Sequence, residues 1–349
     1  MKKEKKELVS IVIATYNSSR TLEKVLRSIQ KQSYSRKNIE ILIIDGGSKD
    51  KTIEISKKYR CKLFHNPKID QVYAKYMGYV EAKGKYLLFL DSDEILENRD
   101  SIKAKVEMMT KDKRIRAVVS AGYNTSSLVH PINNYLSEFG DPFSFFMYRN
   151  SKDPKHFLKD LVNKYKKNYD VKSGVVFSFY GEKNPPFIEL TSMGCLIDRA
   201  YVKKMFPDVF RKVWEHTHLF YLLNSKKALI AVMNDDVVLH DSAPTFSGYL
   251  KKIRSRVKSN LYSTKMGKAG FIGRERFFMG GKRIKKYLFI GYSLSVIFPL
   301  IDAVYLSLSR KKMIYLVHPF LCVYSVILII YYYSLKTFGV KINLQGYGN

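Results

Sequence analysis

Acidic residues are scarce in this sequence. Its 349 residues include 31 Asp and Glu against 61 Lys and Arg, which gives a formal net charge of +30. An excess of this size indicates an anionic partner, such as a nucleic acid, an anionic lipid or a phosphorylated substrate. A general lysine bias of the source proteome would give the same number, so charge alone does not separate these options.

Cysteine is scarcer still, with Cys61, Cys195 and Cys322 far apart and in no Cys-x-x-Cys pattern. This argues against a disulfide framework and fits a reducing compartment, in which each thiol is a small buried apolar side chain. A signal peptide is also missing from the N-terminus, because the apolar run at 8–14 is too short and ends in a polar turn. The domain that follows is therefore expected to stay on the cytoplasmic side.

The first hundred residues do contain a regular alternation of buried strands and amphipathic helices. The runs 8–14, 39–44 and 85–90 are short and apolar, and segments with helical spacing separate them. This alternation predicts an α/β fold with a mostly parallel sheet, in which ligands bind beyond the carboxyl ends of the strands. Three polar residues stand at such ends, namely Tyr16, Asp45 and Asp91.

The sequence Asp91-Ser92-Asp93 closes the last of these three strands. Two carboxylates one residue apart can share a divalent cation, and hard oxygen ligands suit Mg²⁺ or Mn²⁺, ions that bridge phosphates. An acidic triplet alone is a common turn. With Asp45 expected at a neighbouring strand end, the triplet predicts a metal-assisted phosphate site.

Four blocks of the sequence resemble, in order and spacing, a family 2 glycosyltransferase with the GT-A fold. They are an opening strand with a T-Y-N turn (9–17), a strand with a D-x-x-S-x-D-x-T loop (41–52), an A-K-Y-M-G segment (74–78) where the family has A-R-N-x-G, and a G-x-Y block ending in D-x-D (84–93). The resemblance covers roughly residues 8–100. It implies a Rossmann-like GT-A catalytic domain that moves a sugar from a nucleotide-sugar donor to an acceptor with inversion.

The resemblance also implies roles for the matched residues. Thr15 and Tyr16 would cradle the nucleotide base, and Asp45 would hydrogen-bond the edge of the base. Lys75, where the family usually has Arg, would reach the base or the phosphates. Asp91 would contact the ribose and the metal region, and Asp93 would ligate Mg²⁺ or Mn²⁺. The candidate donor-binding residues are Thr15, Tyr16, Asn17, Asp45, Lys75, Asp91 and Ser92.

The second half resembles the family more loosely. The segment 214–219 aligns with the family's G-E-D-x-D-L segment, whose Asp usually acts as the general base, and His216 stands at that position here. Glu215 and His216 are both candidate bases, and a phosphate acceptor would need neither. His240, after the last predicted strand, is a candidate metal ligand with Asp91 and Asp93; the alternative is a hydrogen-bonded surface histidine.

The composition changes after residue 245. A basic amphipathic region follows, which suits an anionic membrane surface or a solvated helix packed on the domain. The apolar stretches 287–309 and 313–333 are each about long enough to cross a hydrocarbon core of roughly 30 Å. Basic residues lie at both ends of the first stretch, so the positive-inside rule leaves a spanning hairpin and re-entrant helices open. A pair of buried core helices is the third possibility.

We therefore expect a GT-A domain over 7–245, basic linker helices over 246–284, and a transmembrane or re-entrant helical hairpin with a tail over 285–349. The expected partners are a nucleotide-sugar donor, a membrane and a lipid-linked acceptor, either a polyprenyl phosphate or a lipid-linked glycan, but not a nucleic acid. The catalytic domain would lie on the cytoplasmic face of the membrane. A catalytically altered membrane scaffold of the same fold and a basic nucleic-acid-binding protein are the alternatives.

Overall fold

The computed structural model of the chain describes residues 7–242, 245–262, 267–278, 281–342 and 344, without the side chains of 267 and 281–283. The chain forms two compact units. The first comprises Met1–Asn124, Asp153–Glu182 and Ile188–His240, and the second comprises Thr125–Lys152, Lys183–Phe187 and Asp241–Asn349. The domain boundaries expected at 245 and 284 stay a prediction. The structure adds that two internal segments belong to the same unit as the C-terminal helices.

The strands all lie in the first unit. They are β1 (Val9–Thr15), β2 (Ile39–Asp45), β3 (Lys62–His65), β4 (Tyr86–Asp91), β5 (Glu94–Leu96), β6 (Ile115–Val119), β7 (Gly122–Asn124), β8 (Lys167–Val171), β9 (Gly174–Phe177), β10 (Leu196–Asp198), β11 (Leu229–Met233) and β12 (Val237–His240).

The α-helices are divided between the units, with α5, α6 and α10 to α14 in the second. In chain order they are α1 (Ser19–Gln30), α2 (Thr52–Lys58), α3 (Gln71–Glu81), α4 (Ser101–Lys111), α5 (Ile132–Phe139), α6 (Pro142–Tyr148), α7 (Phe157–Lys164), α8 (Arg199–Met205), α9 (Leu219–Ser225), α10 (Phe246–Tyr262), α11 (Phe271–Arg274), α12 (Gly281–Ser295), α13 (Ile297–Arg310) and α14 (His318–Thr337).

The predicted α/β fold is confirmed. The main sheet has the strand order β3-β2-β1-β4-β10-β6-β11-β9-β8. Strands β1 to β4 are all parallel, as the alternating strands and helices predict. Beyond β4 the sheet is mixed, because β10 runs antiparallel to both of its neighbours and β9 runs antiparallel to β11 and β8. Strands β1, β2 and β4, which contain three of the four sequence blocks, therefore all lie in the parallel half of the sheet.

The parallel half of the sheet is tightly packed against helices, which fixes the positions of its strand ends. Strand β2 is buried along its whole length, and the apolar stripe of α1 is buried as well. Helix α3 approaches β1 so closely that a Cβ at Gly78 would lie 2.3 Å from a methyl carbon of Val12. The glycine of the A-K-Y-M-G segment is thus required by the contact between helix and strand.

A small second sheet, in the order β5-β12-β7, stands beside the end of β4. Its strand β5 begins one residue after Asp93, and His240 on β12 pairs with Glu94 on β5. This pairing brings the end of the last strand of the unit to the Asp91–Asp93 turn.

The second unit is helical and has its own core. Buried apolar side chains from α5 and α6 meet those of α10, α13 and α14, with Tyr315 from the 3₁₀ turn Met313–Val317 that precedes α14. The stretch predicted at 287–309 is not one continuous helix: Val296, at φ +57°, separates α12 from α13, and the two helices are bent by 85°. Within the described residues, Met313–Thr337 is long and apolar enough to cross a membrane, and the bent pair would count as a second such segment only if it is one span.

Candidate active site

The carboxyl ends of three neighbouring parallel strands form the rim on which the predicted donor residues meet. Thr15 on β1 is in register with Asp45 on β2, and Ala14 is in register with Asp91 on β4. Since β2 and β4 flank β1, the two carboxylates stand about two strand spacings, or ~10 Å, apart. The structure therefore brings Asp45 and Asp91 to one edge of the sheet.

Asp45 organises the turn that follows its strand. Its Oδ1 accepts hydrogen bonds from the hydroxyls of Thr15 at 2.8 Å and Ser48 at 2.5 Å. Its Oδ2 accepts from the backbone N–H groups of Gly47 and Ser48, both at 2.8 Å. A carboxylate offers about four acceptor positions, so all four are used by the protein. The predicted bond from a base edge to Asp45 would have to share or displace one of these donors.

Tyr16 and Asn17 lie on the loop after β1, and this loop is tied to the loop after β2. The Asn17 N–H donates to the Ser48 hydroxyl at 2.8 Å, and the Lys49 N–H donates to the Asn17 side chain at 2.8 Å. The Tyr16 ring covers Gly46, where a Cβ would approach it to 3.2 Å. Asn17 is exposed and left-handed at φ +48°. Asn17 therefore joins the two loops, and the predicted role of Tyr16 at the base stays a prediction.

Asp50 connects the residues that follow the same two loops. It accepts hydrogen bonds from the backbone N–H groups of Ser19 at 2.9 Å and Thr52 at 3.0 Å, and from the Thr52 hydroxyl at 2.5 Å. Burial acts to raise the pKa of this carboxyl, but the hydrogen bonds from Thr52 and Ser19 lower it to about 2. Asp50 is therefore ionised throughout the physiological range.

Lys75 is buried and faces Asp91. Its Nζ lies 2.8 Å from Asp91 Oδ1 and donates to the carbonyl of Thr191 at 2.6 Å. Burial alone would lower the pKa of this ammonium group, but Asp91 and then Glu189 raise it on balance. Gln71 also donates to Asp91, at 2.9 Å. In this structure Lys75 orients Asp91, a contact that the predicted role of reaching the base or phosphates did not include.

Glu94 is a fully buried carboxyl that the sequence motifs did not single out. It accepts hydrogen bonds from the Tyr123 hydroxyl and from the backbone N–H groups of Met193, at 3.0 and 3.1 Å, and Asp91, at 3.2 Å. Burial, with the nearby Asp91 charge, raises its pKa to about 8. Tyr123 and Met193 lie 29 and 99 residues further along the chain, so no local pattern could have identified these two partners.

The candidate metal ligands lie on the turn after β4 and the end of β12. His240 Nε2 is 3.8 Å from Asp93 Oδ1, and the His240 ring stacks on Tyr123 at 4.7 Å. Ser92 is half-buried in the same turn. No group of three or more His, Cys, Asp or Glu side chains within the described ranges has the geometry of a complete metal site.

These residues fit a divalent cation of the type predicted. Mg²⁺ is commonly held by one or two carboxylates, with phosphate oxygens and water completing the shell. Asp93 supplies one such carboxylate and His240 a ring nitrogen from an adjacent element, whereas Asp91 is engaged by Lys75 and Gln71. Of the three predicted ligands, Asp93 and His240 therefore lie close to each other, and Asp91 is held by Lys75.

The two candidate bases lie side by side in the 3₁₀ turn Glu215–His218, and both are buried. The His216 ring packs against Tyr79, with the ring centroids 5.8 Å apart. Burial, followed by the Lys75 charge, lowers the pKa of His216 to about 3. An imidazole of this basicity is poorly matched to proton removal at neutral pH. Glu215 is the better candidate of the two.

Three buried charged residues hold the backbone of the loop 191–194. Lys75 binds the carbonyl of Thr191, Glu94 binds the N–H of Met193, and Lys105 Nζ donates to the carbonyl of Gly194 at 2.7 Å. Lys105 also forms an ion pair with Asp236 at 2.6 Å, and both side chains are wholly buried. Lys105 stands on the buried stripe of α4 with Ile102, Val106 and Met109. A lysine at such a position is the sequence signal that could have revealed it.

The fold of this chain resembles that of solved glycosyltransferases. A mannosyltransferase from Pyrobaculum calidifontis, solved in complex with GDP-Man and Mn²⁺, superposes with a TM-score of 0.55 over 93% of this chain and 88% of that chain, at 13% identity. At this identity the likeness concerns the fold, which is the GT-A-like fold of glycosyltransferase enzymes. Residues 10–160 match the model of the family described as Glycosyl transferase family 2.

Curated relatives match about a third of the chain. An uncharacterized glycosyltransferase of Haemophilus influenzae is 37% identical over 111 residues, which is 30% of this chain and 43% of that protein. A dolichyl N-acetyl-alpha-D-glucosaminyl phosphate 3-beta-D-2,3-diacetamido-2,3-dideoxy-beta-D-glucuronosyltransferase of Methanococcus voltae is 32% identical over 113 residues, which is 30% of this chain and 35% of that protein. The aligned segments thus span less than half of these relatives.

Proposed function

We propose that this protein transfers a sugar from a nucleotide-sugar donor to a lipid-linked acceptor at a membrane, with inversion at the anomeric carbon. One observation carries the proposal: Thr15, Asp45 and Asp91 stand at the carboxyl ends of adjacent parallel strands, with Asp93 and His240 beside them. Such a rim is where parallel α/β sheets bind nucleotides. The family 2 match over residues 10–160 supports the same reaction class.

Each group on the rim has a role in this proposal. The tied loops after β1 and β2 present Tyr16 to the base, and Asp45 keeps the second loop in its conformation. Asp93 and His240 would hold Mg²⁺ or Mn²⁺. When bound, the cation offsets the charge of the diphosphate leaving group. Lys75 pairs with Asp91 and would fix the position of its carboxylate beside the donor.

Inversion follows if the acceptor attacks the anomeric carbon directly, from the face opposite the diphosphate. Glu215 would take the proton of an acceptor hydroxyl in that step. An acceptor that is already an anionic phosphate would need no base, and Glu215 would then only position it. Determining the anomeric configuration of the product by NMR tests this mechanism, and a retained configuration would exclude it.

Two observations support a lipid-linked acceptor. The M. voltae relative is named for a dolichyl-linked substrate. The helices α12 and α13 also expose many large apolar side chains, as a membrane-bound protein does. The catalytic unit would face the cytoplasm, where nucleotide sugars are made.

The decisive experiment is a screen of sugar nucleotides for Mn²⁺- or Mg²⁺-dependent binding, followed by transfer assays with membrane extracts. Asp93→Ala should reduce transfer at least 100-fold, because it removes a charged ligand of the cation. Asp235→Ala is the matched control, since Asp235 is an exposed aspartate on the turn before β12. Unchanged transfer by Asp93→Ala would reject the proposed role of the acidic turn.

The alternatives predict different results in the same assays. A catalytically altered scaffold would give no transfer with any donor, either in the wild type or in the variants. A nucleic-acid-binding protein would instead retard DNA or RNA in a salt-dependent mobility shift.

A further inference from the structure

The helices of the second unit carry a large exposed apolar surface. We propose that this surface inserts into one leaflet of an anionic bilayer, and that none of the described helices crosses the membrane. The inference rests on the membrane association in the proposed function and adds the mode of attachment. It takes a lipid leaflet as the partner, rather than a second protein chain.

The apolar surface is concentrated on α12 and α13. Large apolar side chains are exposed along the whole of this segment, each between 43% and 74% except for Ile290 at 37%. They are Ile284, Tyr287, Leu288, Ile290, Leu294, Val296, Ile297, Phe298, Leu300, Ile301, Val304, Tyr305 and Leu308. Soluble monomers rarely expose so many large apolar side chains on two consecutive helices. This set argues against the possibility that the two helices form the core of a soluble protein.

The two bent helices, Ile284–Ser295 and Ile297–Arg310, are called the elbow from here on. At 1.5 Å per residue, Ile284–Ser295 and Ile297–Arg310 are about 18 and 21 Å long, and neither alone spans a core of roughly 30 Å. With the observed 85° bend, both arms can dip about 13 Å from one face, roughly half the core. The tip would then consist of Leu294, Val296, Ile297 and Phe298, all exposed and apolar.

The elbow also explains the charge pattern at its two ends. Lys285 and Lys286 stand at the start of α12, and Arg310, Lys311 and Lys312 stand at the end of α13. In a straight span these groups would lie on opposite faces of the membrane. In a re-entrant elbow both groups lie on the same face. Lys286 and Arg310 are paired there with Glu275 and Glu138, and the exposed Lys311 and Lys312 can meet anionic headgroups.

The negative charge of the acidic residue in the elbow is paired with a cation inside the protein. Asp302 is the only Asp or Glu between 281 and 337. Its Oδ1 lies 2.5 Å from Arg149 Nη1, and its Oδ2 accepts a hydrogen bond from the Tyr292 hydroxyl at 2.5 Å. Insertion of the elbow therefore does not bring an unpaired carboxylate into lipid.

The composition of α10, the helix beside α14, bears on whether α14 can cross the membrane. Helix α10 lies alongside it in the same direction: Phe246 meets Phe320 at 6.0 Å between ring centroids, and Tyr262 meets Tyr332 at 6.4 Å. Near the same end, Lys336 Nζ donates to the carbonyl of Leu261 at 2.6 Å. The two helices thus run side by side over most of the candidate span.

This neighbour carries charges at the level where the middle of α14 would lie. Between the two ring contacts, α10 bears Lys251, Lys252, Arg254, Arg256 and Lys258, and Lys251 and Arg254 are exposed. An exposed cation at the centre of a bilayer is strongly disfavoured, because it loses its hydration. A helix pair of this composition is suited to the interface, with its cations toward lipid phosphates. We therefore place α14 along the membrane surface rather than across it.

Vesicle flotation tests the attachment itself. The full chain should float with vesicles containing an anionic lipid such as phosphatidylglycerol, and at least 10-fold less with pure phosphatidylcholine at moderate salt. The variant Ile297→Glu, at the tip of the elbow, should reduce flotation, whereas Val162→Glu, an exposed apolar residue of the first unit, should not. Failure of the wild type to bind any vesicle would overturn this inference together with the membrane part of the proposed function.

Cysteine labelling tests the topology separately. Single cysteines at Ile284, Met313 and Thr337 mark the start of α12, the start of the candidate span and its end, and all three positions are exposed. The background carries Cys61→Ser, because Cys195 and Cys322 are fully buried. In sealed vesicles, a membrane-impermeant maleimide should label all three from the side that also labels Lys57→Cys of the first unit.

Opposite labelling of Met313→Cys and Thr337→Cys would show that α14 spans, and opposite labelling of Ile284→Cys and Met313→Cys would show that the elbow spans. Either result overturns the single-leaflet attachment and leaves the proposed transfer reaction standing. Ile297→Cys should be labelled only after detergent is added, which distinguishes an inserted elbow from one that rests on the surface. Thermal unfolding of each variant in detergent shows whether it is folded.

Discussion

His216 occupies the position of the expected catalytic base, yet it is buried in neutral form. Its folded-state pKa of about 3 lies below the ordinary value of about 6.5, so the unfolded chain binds a proton first as the pH falls. The stabilising effect is complete above pH ~6.5 and decreases progressively toward pH 3. Between pH 7 and pH 5 we expect a loss of about 2 kcal/mol from this residue. His216→Gln should flatten the pH dependence of the unfolding free energy in urea by that amount, and an unchanged slope would contradict the buried neutral state.

The neighbouring Glu215 gives a kinetic prediction. If it removes the acceptor proton, Glu215→Gln should lower kcat by about 10²–10⁴ with little change in the KM for the donor. His216→Gln is the matched comparison, and we expect less than a 10-fold effect because that imidazole is so weakly basic. Wild-type kcat in Glu215→Gln would indicate instead that the acceptor is an anionic phosphate.

At the scale of residues, the sequence indicates the positions of polar groups more reliably than their partners. Asp45 and Asp91 can be identified from the sequence because strand ends are visible as apolar runs that stop at a polar turn. The contact of Lys75 with Asp91 and the role of Glu94 cannot, because they depend on groups brought together by the tertiary fold. Met193, for example, is 99 residues from Glu94 along the chain.

Helix α3 shows how one small residue sets the spacing of two elements. Gly78→Ala would place a Cβ 2.3 and 2.8 Å from the two methyl carbons of the fully buried Val12, so the helix or the strand must shift. We expect a destabilisation of about 1–3 kcal/mol by overpacking. Adding Val12→Ala should recover part of the loss, which a double-mutant cycle on thermal unfolding would measure.

A control for this prediction lies in α12. A Cβ at Gly291 meets nothing within 4 Å, so Gly291→Ala should be neutral or slightly stabilising, as expected for an open helical position. Equal destabilisation by both substitutions would show that loss of glycine flexibility, rather than the contact with Val12, is responsible.

At the scale of elements, the parallel half of the sheet could be predicted and the elbow could not. Short apolar runs separated by helical segments define β1, β2 and β4 through local patterns alone. The break at Val296 has no such signal, because neither glycine nor proline stands there and a β-branched residue rarely adopts φ +57°. Pro299, the nearest proline, does not cause the bend, because it lies in the first turn of α13, where proline is tolerated.

At the scale of the whole molecule, the second unit cannot be removed by a single cut. Its core joins α5 and α6, from the middle of the chain, to the C-terminal helices. The buried residues contributed by the middle segment are Ile132, Tyr135, Leu136, Phe139 and Phe145, and their partners include Tyr249, Ile253, Leu306, Tyr315, Leu321, Leu328 and Tyr332. A chain that ends at residue 242 would keep the first set and lose the second.

We therefore expect that truncation after residue 242 gives an aggregating protein instead of a soluble catalytic domain. Exposing five large apolar side chains costs about 1.5–3 kcal/mol each, on the order of 10 kcal/mol together, which is comparable to the whole stability of a domain. Soluble yield and size-exclusion profiles of the two chains, in the detergent that keeps the full chain monodisperse, measure the effect. A monodisperse truncated protein that still binds a sugar nucleotide would show that α5 and α6 do not need the C-terminal helices, and that the boundary expected near 245 is a true domain boundary.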